Sequence, residues 1–148
     1  MKPSQLRTIL LVEDSPADAE MAMDALRDAN LANPVVHVED GVECLDWLYS
    51  RGAHAGRGDA DPAVVLLDIN MPRKGGLEVL TEMRGSEQLR RIPVVILSSS
   101  REESDLARSW DLGVNAYVIK PVDVDQFFDA VRTLGRFWAV LNQAPDGD

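Results

Sequence analysis

The sequence predicts an α/β domain in which five βα units form a doubly wound, five-stranded parallel sheet. Five short apolar runs start 23 to 30 residues apart, which suits the length of a βα unit. Three of the runs are continuous stretches rich in Val, Ile and Leu, a pattern typical of strands buried on both faces. The segments between the runs begin with helix start signals. The predicted strands are Thr8–Val12, Val35–Val38, Ala63–Leu67, Pro93–Leu97 and Ala116–Ile119.

The first βα unit carries the clearest helix signals. After the first strand, Ser15 is placed to cap a helix and Pro16 to occupy its first position, with Asp18 in the first turn. Apolar residues at helical spacing then run from Ala19 to Ala29. A helix is therefore predicted near residues 16–29.

Looser capping signals mark three further helix starts. Each pairs an Asp or Ser with a Glu or Gln three residues later, close to the spacing of a capping box. The pairs are Asp40-x-x-Glu43, Ser100-x-x-Glu103 and Asp123-x-x-Gln126. Further helices are predicted near residues 41–51, 76–84, 101–112 and 124–142.

The chain is expected to hold a single domain. Residues 52–62 contain three glycines and one proline and are predicted to form a surface loop before the third strand. We expect the domain to span residues 7–142, with short tails at residues 1–6 and 143–148.

Composition restricts the partners and the compartment. The 25 Asp and Glu residues outnumber the 15 Lys and Arg residues, and the net charge of −10 argues against binding to nucleic acid or to anionic membranes. Cys44 is the single cysteine, which excludes an internal disulfide and fits a reducing compartment. No apolar run approaches the roughly 20 residues of a membrane span. A cytoplasmic protein without a nucleic-acid or membrane partner is the expectation.

Polar side chains follow four of the five predicted strands. Glu13 and Asp14 follow the first strand, Asp68 the third, Ser98 the fourth and Lys120 the fifth. Ligand sites of open α/β sheets lie at this carboxyl edge, where the strand order reverses. If the first and third strands are neighbours, the carboxylates of the two strands lie about one strand spacing apart, ~5 Å.

This set of groups suits phosphoryl transfer. Carboxylates this close cannot all stay ionised without a cation, and oxygen ligands favour Mg²⁺, with Mn²⁺ as a substitute. A carboxylate can attack phosphorus and form an aspartyl phosphate. Lys120 and the Ser98 hydroxyl can each donate to a phosphoryl oxygen, so catalysis would rest on positioning and electrostatics.

Four motifs resemble those of receiver domains of two-component response regulators. They are LLVEDS, LLDINMP, VVILSSS and YVIKP, in this order and each at a strand end. The resemblance covers roughly residues 7–142 and implies the strand order 2-1-3-4-5. It also implies that the protein is a signalling phosphoprotein rather than an enzyme with a separate substrate.

The resemblance implies a role for each matching residue. Asp68 would be the phospho-acceptor, and Asp14, Asp68 and the Asn70 backbone carbonyl would bind the metal, with Glu13 acting on it through water. Ser98 would be the switch hydroxyl, Tyr117 the switch aromatic and Lys120 the phosphate-binding lysine. The Lys120–Pro121 peptide bond would be cis.

A narrower resemblance concerns the partner. The stretches NMPRKGGLEVL and LGVNAYVIKPVD are similar to those of single-domain regulators that partner phytochrome histidine kinases. The resemblance implies a sensor histidine kinase of the phytochrome type as phosphoryl donor and an unidentified protein as downstream target. Gly75 departs from the pattern, because an acidic residue often stands there in the family.

The last predicted helix is apolar beyond a single face. One apolar stripe at helical spacing is enough to dock the helix on the sheet. Phe128, Phe137 and Val140 fall off that stripe, which predicts a homodimer through the fifth helix. The stripe itself consists of Phe127, Val131, Leu134, Trp138 and Leu141.

Three alternatives remain open from the residues alone. A Mg²⁺-dependent phosphohydrolase would use the same aspartyl phosphate, but often needs a second acid where Asn70 stands. A flavin-binding module should have a phosphate-binding loop after the first strand, where Glu13 and Asp14 would repel phosphate. A receiver that is never phosphorylated would act as a scaffold.

Overall fold

Five parallel strands form one sheet, as the sequence predicts. The structure, a computed structural model, describes residues 7–57, 61–71, 73–99, 108–121 and 123–132. The strands are β1 (Ile9–Val12), β2 (Val35–Val38), β3 (Val64–Asp68), β4 (Val94–Ser98) and β5 (Ala116–Ile119). Their order in the sheet is β2-β1-β3-β4-β5, and all pairs are parallel. The predicted fold class and strand order are both confirmed.

Helices cover both faces of this sheet. They are α1 (Pro16–Asp28), α2 (Gly41–Tyr49), α3 (Gly76–Gly85), α4, of which residues 108–111 are described, and α5 (Val124–Arg132). The predicted segments 101–107 and 133–142 lie outside the described residues. The predicted loop before β3 contains a short 3₁₀ turn at Gly52–His54.

The helix starts follow the predicted capping. Ser15 Oγ accepts a hydrogen bond from the backbone N–H of Asp18 at 3.3 Å, and Pro16 occupies the first helical position of α1. Asp40 Oδ1 accepts from the N–H of Glu43 at 2.9 Å at the start of α2. The same arrangement recurs at α5, where the N–H of Gln126 donates to the Asp123 side chain at 2.8 Å.

The core consists of two apolar layers, one on each face of the sheet. Every residue of β1, β3 and β4 is buried, which explains why these strands are continuous apolar runs. Alternate residues of each strand pack on opposite layers, so Ile9 and Leu11 face α1 and α5 while Leu10 and Val12 face α2 and α3. Phe127 is buried in the first layer, as its place on the predicted stripe requires.

Strands β3 and β4 each extend one residue further than predicted. Asp68 is opposite Leu97 in the β3–β4 ladder, and Ser98 is opposite Ile119 in the β4–β5 ladder. Both polar residues are therefore the last residues of their strands rather than the first residues after them. In the part of the chain that the structure describes, no helix is long and apolar enough to cross a bilayer.

Candidate functional site

The carboxyl ends of β1 and β3 bring three carboxylates together. Val12 is opposite Leu67 in the parallel ladder, so Glu13 and Asp14 leave β1 at the level where β3 ends with Asp68. One carboxylate oxygen from each of the three lies within 4.8 Å of the others. Glu13 and Asp68 are buried and Asp14 is exposed, so the group opens to solvent on one side.

Glu13 is the most completely buried acid of this group, with only 1% of the residue exposed. Its Oε1 forms an ion pair with Lys120 Nζ at 2.5 Å, and its Oε2 accepts a hydrogen bond from the N–H of Ser15 at 3.2 Å. The backbone carbonyl of Glu13 also lies 2.7 Å from His37 Nε2 on β2. Both carboxylate oxygens and the backbone are thus held in place.

Lys120 follows β5 and contacts three carboxylates with its ammonium group. Its Nζ lies 2.5 Å from Glu13 Oε1, 3.0 Å from Asp18 Oδ2 and 3.4 Å from Asp68 Oδ2. Burial of the side chain alone would lower the pKa of Lys120, but the neighbouring carboxylates outweigh it and raise that pKa. The group is therefore a permanent cation at neutral pH.

Asp68 is in the opposite electrostatic situation. Burial first, and then the neighbouring Glu13 carboxylate, raise the pKa of Asp68 to about 7, while Lys120 and the N–H of Asn70 act against this shift. That N–H donates to Asp68 Oδ1 at 3.2 Å. Lys120 and the Asn70 N–H therefore offset only part of what burial and Glu13 cost the negative charge of Asp68.

This donor set fits a hard divalent cation. The group offers only oxygen atoms, two of its three members are buried, and Lys120 beside it supplies a single positive charge. Mg²⁺ and Mn²⁺ prefer such carboxylate oxygens and keep some water, which the exposed side at Asp14 allows.

The loop from β3 to α3 is packed tightly against the site. A Cβ atom at Gly76 would overlap the carbonyl oxygen of Asp68, and the Gly76 N–H donates to the Ile69 carbonyl at 2.8 Å. Arg73 has a left-handed φ of 65° and forms an ion pair with Asp40 at 2.6 Å. The loop that carries Asn70 is thereby joined to the start of α2.

Ser98 and Tyr117 lie on the neighbouring strands β4 and β5. Ser98 is fully buried, and its carbonyl accepts a hydrogen bond from the N–H of Lys120 at 2.9 Å. Tyr117 is half-buried and lines an open groove of about 530 Å³ together with Trp110 and Gln126. The Lys120–Pro121 peptide bond is cis, as predicted.

The structure thus places Glu13, Asp14, Asp68 and Lys120 in one site, with Ser98 bonded to the backbone of Lys120. Asp18 was not predicted as a site residue, although it contributes the second shortest contact to Lys120. The only sequence signal for Asp18 was its position in the first turn of α1, where an acid is ordinary.

Comparisons with known proteins agree with this fold. The model of the response regulator receiver domain family matches residues 9–132. Response regulator Rcp1 from Synechocystis is 35% identical over 132 residues, which are 89% of this chain and 88% of that protein, and its Mn²⁺-bound crystal structure superposes with a TM-score of 0.74.

Two further solved structures extend the comparison. The bacteriophytochrome response regulator AtBRR is 56% identical, with 94% of this chain and 99% of that chain covered and a TM-score of 0.84. The phosphorylated cyanobacterial phytochrome response regulator RcpA is 40% identical, with 90% and 94% covered and a TM-score of 0.75. The family match covers most of the chain, and the chain belongs to the response regulator receiver domain family.

Proposed function

We propose that this response regulator accepts a phosphoryl group on Asp68 from a sensor histidine kinase. The observation that carries the proposal is the position of Asp68 at the end of β3, between the buried Glu13 carboxylate and the Lys120 ammonium. Similarity to the phosphorylated structure of RcpA supports it. Similarity to RcpA and AtBRR also supports a kinase of the phytochrome type.

A divalent ion, Mg²⁺ or Mn²⁺, would be held by Asp14, Asp68 and the backbone carbonyl of Asn70, with Glu13 acting on it. Similarity to the Mn²⁺-bound form of Rcp1 supports this assignment. When bound, the ion supplies positive charge that offsets the carboxylates and the negative charge of a transferring phosphoryl group.

Three side chains would take part in the phosphoryl transfer: Asp68, Lys120 and Ser98. An Asp68 carboxylate oxygen attacks phosphorus, the new O–P bond forms, and the N–P bond of the donor phosphohistidine breaks with its electron pair leaving on the imidazole nitrogen. Lys120 donates a hydrogen bond to one phosphoryl oxygen, and the Ser98 hydroxyl donates to another. The transferring group is held by charge and position rather than by general acid catalysis.

The phosphoryl group would act as a switch through Ser98 and Tyr117. The hydrogen bond from the Lys120 N–H to the Ser98 carbonyl couples β4 to β5 beside the site. A shift of Ser98 toward the phosphoryl group would change the packing around Tyr117 and the groove that it lines. That groove lies among α4, β5 and α5, where a downstream protein or a second copy of the chain would bind.

The homodimer is part of the proposal and has its own test. Two of the three apolar residues that predict it, Phe137 and Val140, lie outside the described residues. Sedimentation at high micromolar concentration should show a dimer, and a monomer under these conditions would contradict this part of the proposal.

Intact mass after incubation with a small phosphoryl donor tests the acceptor. With Mg²⁺ and phosphoramidate, the wild-type protein should gain the mass of one acid-labile phosphoryl group. Asp68→Asn should gain none, whereas Asp24→Asn, which removes an exposed carboxylate of α1, should behave like wild type. Modification of Asp68→Asn, or none of wild type, would contradict the assignment of Asp68.

The phosphohydrolase alternative is the less well supported one. Asn70 follows Asp68 by two residues, and an amide cannot act as the general acid that such enzymes use there. The relatives compared above are named as response regulators rather than as enzymes. Steady turnover of a phosphoester, with product in large molar excess over protein, would revive this alternative.

A further inference from the structure

Asp18 reaches from α1 to the ammonium group of Lys120. Asp18 Oδ2 accepts a hydrogen bond from Lys120 Nζ at 3.0 Å, between residues that lie 102 positions apart in the chain. The backbone N–H of Asp18 is bonded to Ser15 Oγ, so the start of the helix holds the residue in place. Its side chain is 38% exposed and therefore lies at the rim of the site.

The three contacts of the Lys120 ammonium are unequal. An ammonium group has three N–H donors, and three carboxylate oxygens surround this one. The two shorter contacts, 2.5 Å and 3.0 Å, are to Glu13 and Asp18, and the longest, 3.4 Å, is to Asp68. The donor nearest the proposed phospho-acceptor is thus the one that is held most loosely.

Asp18 also differs from the other two partners in chemistry. Glu13 and Asp68 belong to the acidic group that suits a divalent ion, whereas Asp18 is not a member of that group among the residues described. Lys120 is the cationic partner of all three carboxylates, and Asp18 is the one of the three that lies outside the acidic group in the part of the chain that the structure describes.

We propose that Asp18 is a positioning residue for Lys120. Together with Glu13 it holds the ammonium group so that the N–H donor that faces Asp68, across the longest of the three contacts, can pass to a phosphoryl group arriving on that carboxylate. This inference rests on the proposed phosphorylation of Asp68. Asp18 acts only through Lys120 and does not itself contact the reacting carboxylate.

The test compares three single variants of the full chain. Asp18→Asn keeps the shape and removes the charge, Asp18→Glu restores the charge on a longer stem, and Glu20→Gln removes an exposed carboxylate from the same helix. The rate of phosphorylation is measured against phosphoramidate concentration in saturating Mg²⁺. We expect Asp18→Asn to lower the saturating rate by roughly three- to tenfold, with little change in the half-saturating donor concentration. Asp18→Glu should recover most of the rate, and Glu20→Gln should match wild type.

A second readout follows Lys120 itself, without any donor. The ¹⁵N-detected ammonium signal of Lys120 should be sharp in wild type, because three carboxylates slow its rotation and its exchange with water. It should broaden in Asp18→Asn and persist in Asp18→Glu. A loss of helix stability alone would change the melting temperature without this selective broadening.

Three outcomes would overturn the inference. The first is a phosphorylation rate in Asp18→Asn that is within twofold of wild type, or faster than wild type. Asp18 would then have no effect on Lys120, or would compete with the phosphoryl group for its ammonium. The second is equal slowing in Asp18→Asn and Asp18→Glu with a parallel drop in melting temperature. The third, failure of wild type to accept any phosphoryl group, would remove the proposed function first and this role with it.

Discussion

The Lys120 ammonium and the Glu13 carboxylate form an ion pair of 2.5 Å in which the two side chains are 11% and 1% exposed. Removing one partner of a pair this well buried leaves a charge that water cannot reach, and the cost exceeds what the pair itself contributes. Lys120 also faces Asp68, so two buried carboxylates depend on a single cation. The stability of the domain and the chemistry of its site therefore rest on the same group.

Lys120→Met should destabilise the domain strongly. Methionine keeps the packing of the stem but leaves Glu13 and Asp68 without a cation, so we expect a loss of about 3 kcal/mol in the free energy of unfolding at pH 8 in EDTA. Urea denaturation measures it. Lys74→Met is the control, because its ion pair with Glu82 is more open to solvent and should contribute less than about 1 kcal/mol. Equal effects of the two substitutions would contradict the special position of Lys120.

Asp68→Asn should stabilise the metal-free protein at alkaline pH. The pKa of Asp68 is about 7 in the folded protein against an ordinary value of 3.8, so folding favours the protonated carboxyl. The stability that this provides is fully present below pH 3.8 and is lost as the pH rises through 7. Because an amide does not ionise, Asp68→Asn should keep this stability as the pH rises.

Urea denaturation of both proteins in EDTA between pH 5 and pH 8, a range chosen to span most of this transition, measures the difference. We expect the free energy of unfolding of Asp68→Asn, relative to that of wild type, to rise by about 1 kcal/mol across this range. The full pKa shift would give more, but Lys120 and water screen the carboxylate. Asp24→Asn, an exposed control on α1, should give a curve parallel to wild type. A difference that shrinks as the pH rises would show that folding lowers the pKa of Asp68 instead of raising it.

The strands and most of the site could be predicted because both depend on local patterns. Continuous apolar runs identify buried parallel strands, and the polar residue that ends each run marks the carboxyl edge. The same rule explains the errors at β3 and β4. The ladder continues through Asp68 and Ser98, and a hydropathy pattern ends a strand where the apolar residues end.

Contacts between distant elements could not be predicted in this way. The hydrogen bond from Lys120 to Asp18 depends on how α1 lies relative to β5, and that relation is set by the packing of the whole layer around Ala22 and Phe127. The contact between His37 and the Glu13 carbonyl depends instead on the pairing of β1 with β2. A single sequence contains no local signal for either contact.

Asp14→Asn should weaken metal binding without destabilising the metal-free fold. Asp14 is exposed and adds negative charge beside two buried carboxylates, so removing this charge relieves the repulsion among them. The same substitution removes one oxygen ligand of the proposed metal site. We expect a loss of roughly tenfold or more in Mn²⁺ affinity by calorimetry, with an unchanged or higher melting temperature in EDTA. Asp28→Asn, at the far end of α1, should leave the affinity unchanged. Wild-type affinity in Asp14→Asn would exclude it as a ligand.

Gly76→Ala should damage the site through the backbone. A Cβ atom at Gly76 would overlap the carbonyl oxygen of Asp68, which belongs to β3 and cannot move without disturbing the sheet. We expect a loss of about 2 kcal/mol in the free energy of unfolding and slower phosphorylation, because the loop that carries Asn70 must shift. Urea denaturation and intact mass after exposure to phosphoramidate measure the two effects.

Gly85→Ala is the matched control for this substitution. Gly85 ends the same helix, and nothing lies within 4 Å of a Cβ atom built there. Alanine should therefore stabilise the protein by up to about 1 kcal/mol, since it restricts the unfolded chain and favours helix, and phosphorylation should remain at the wild-type rate. If Gly76→Ala lowers the free energy of unfolding and Gly85→Ala raises it, glycine is required at position 76 because of the close approach to Asp68 and not because of helix propensity. A stable and fully active Gly76→Ala protein would contradict the tight packing of this loop against the end of β3.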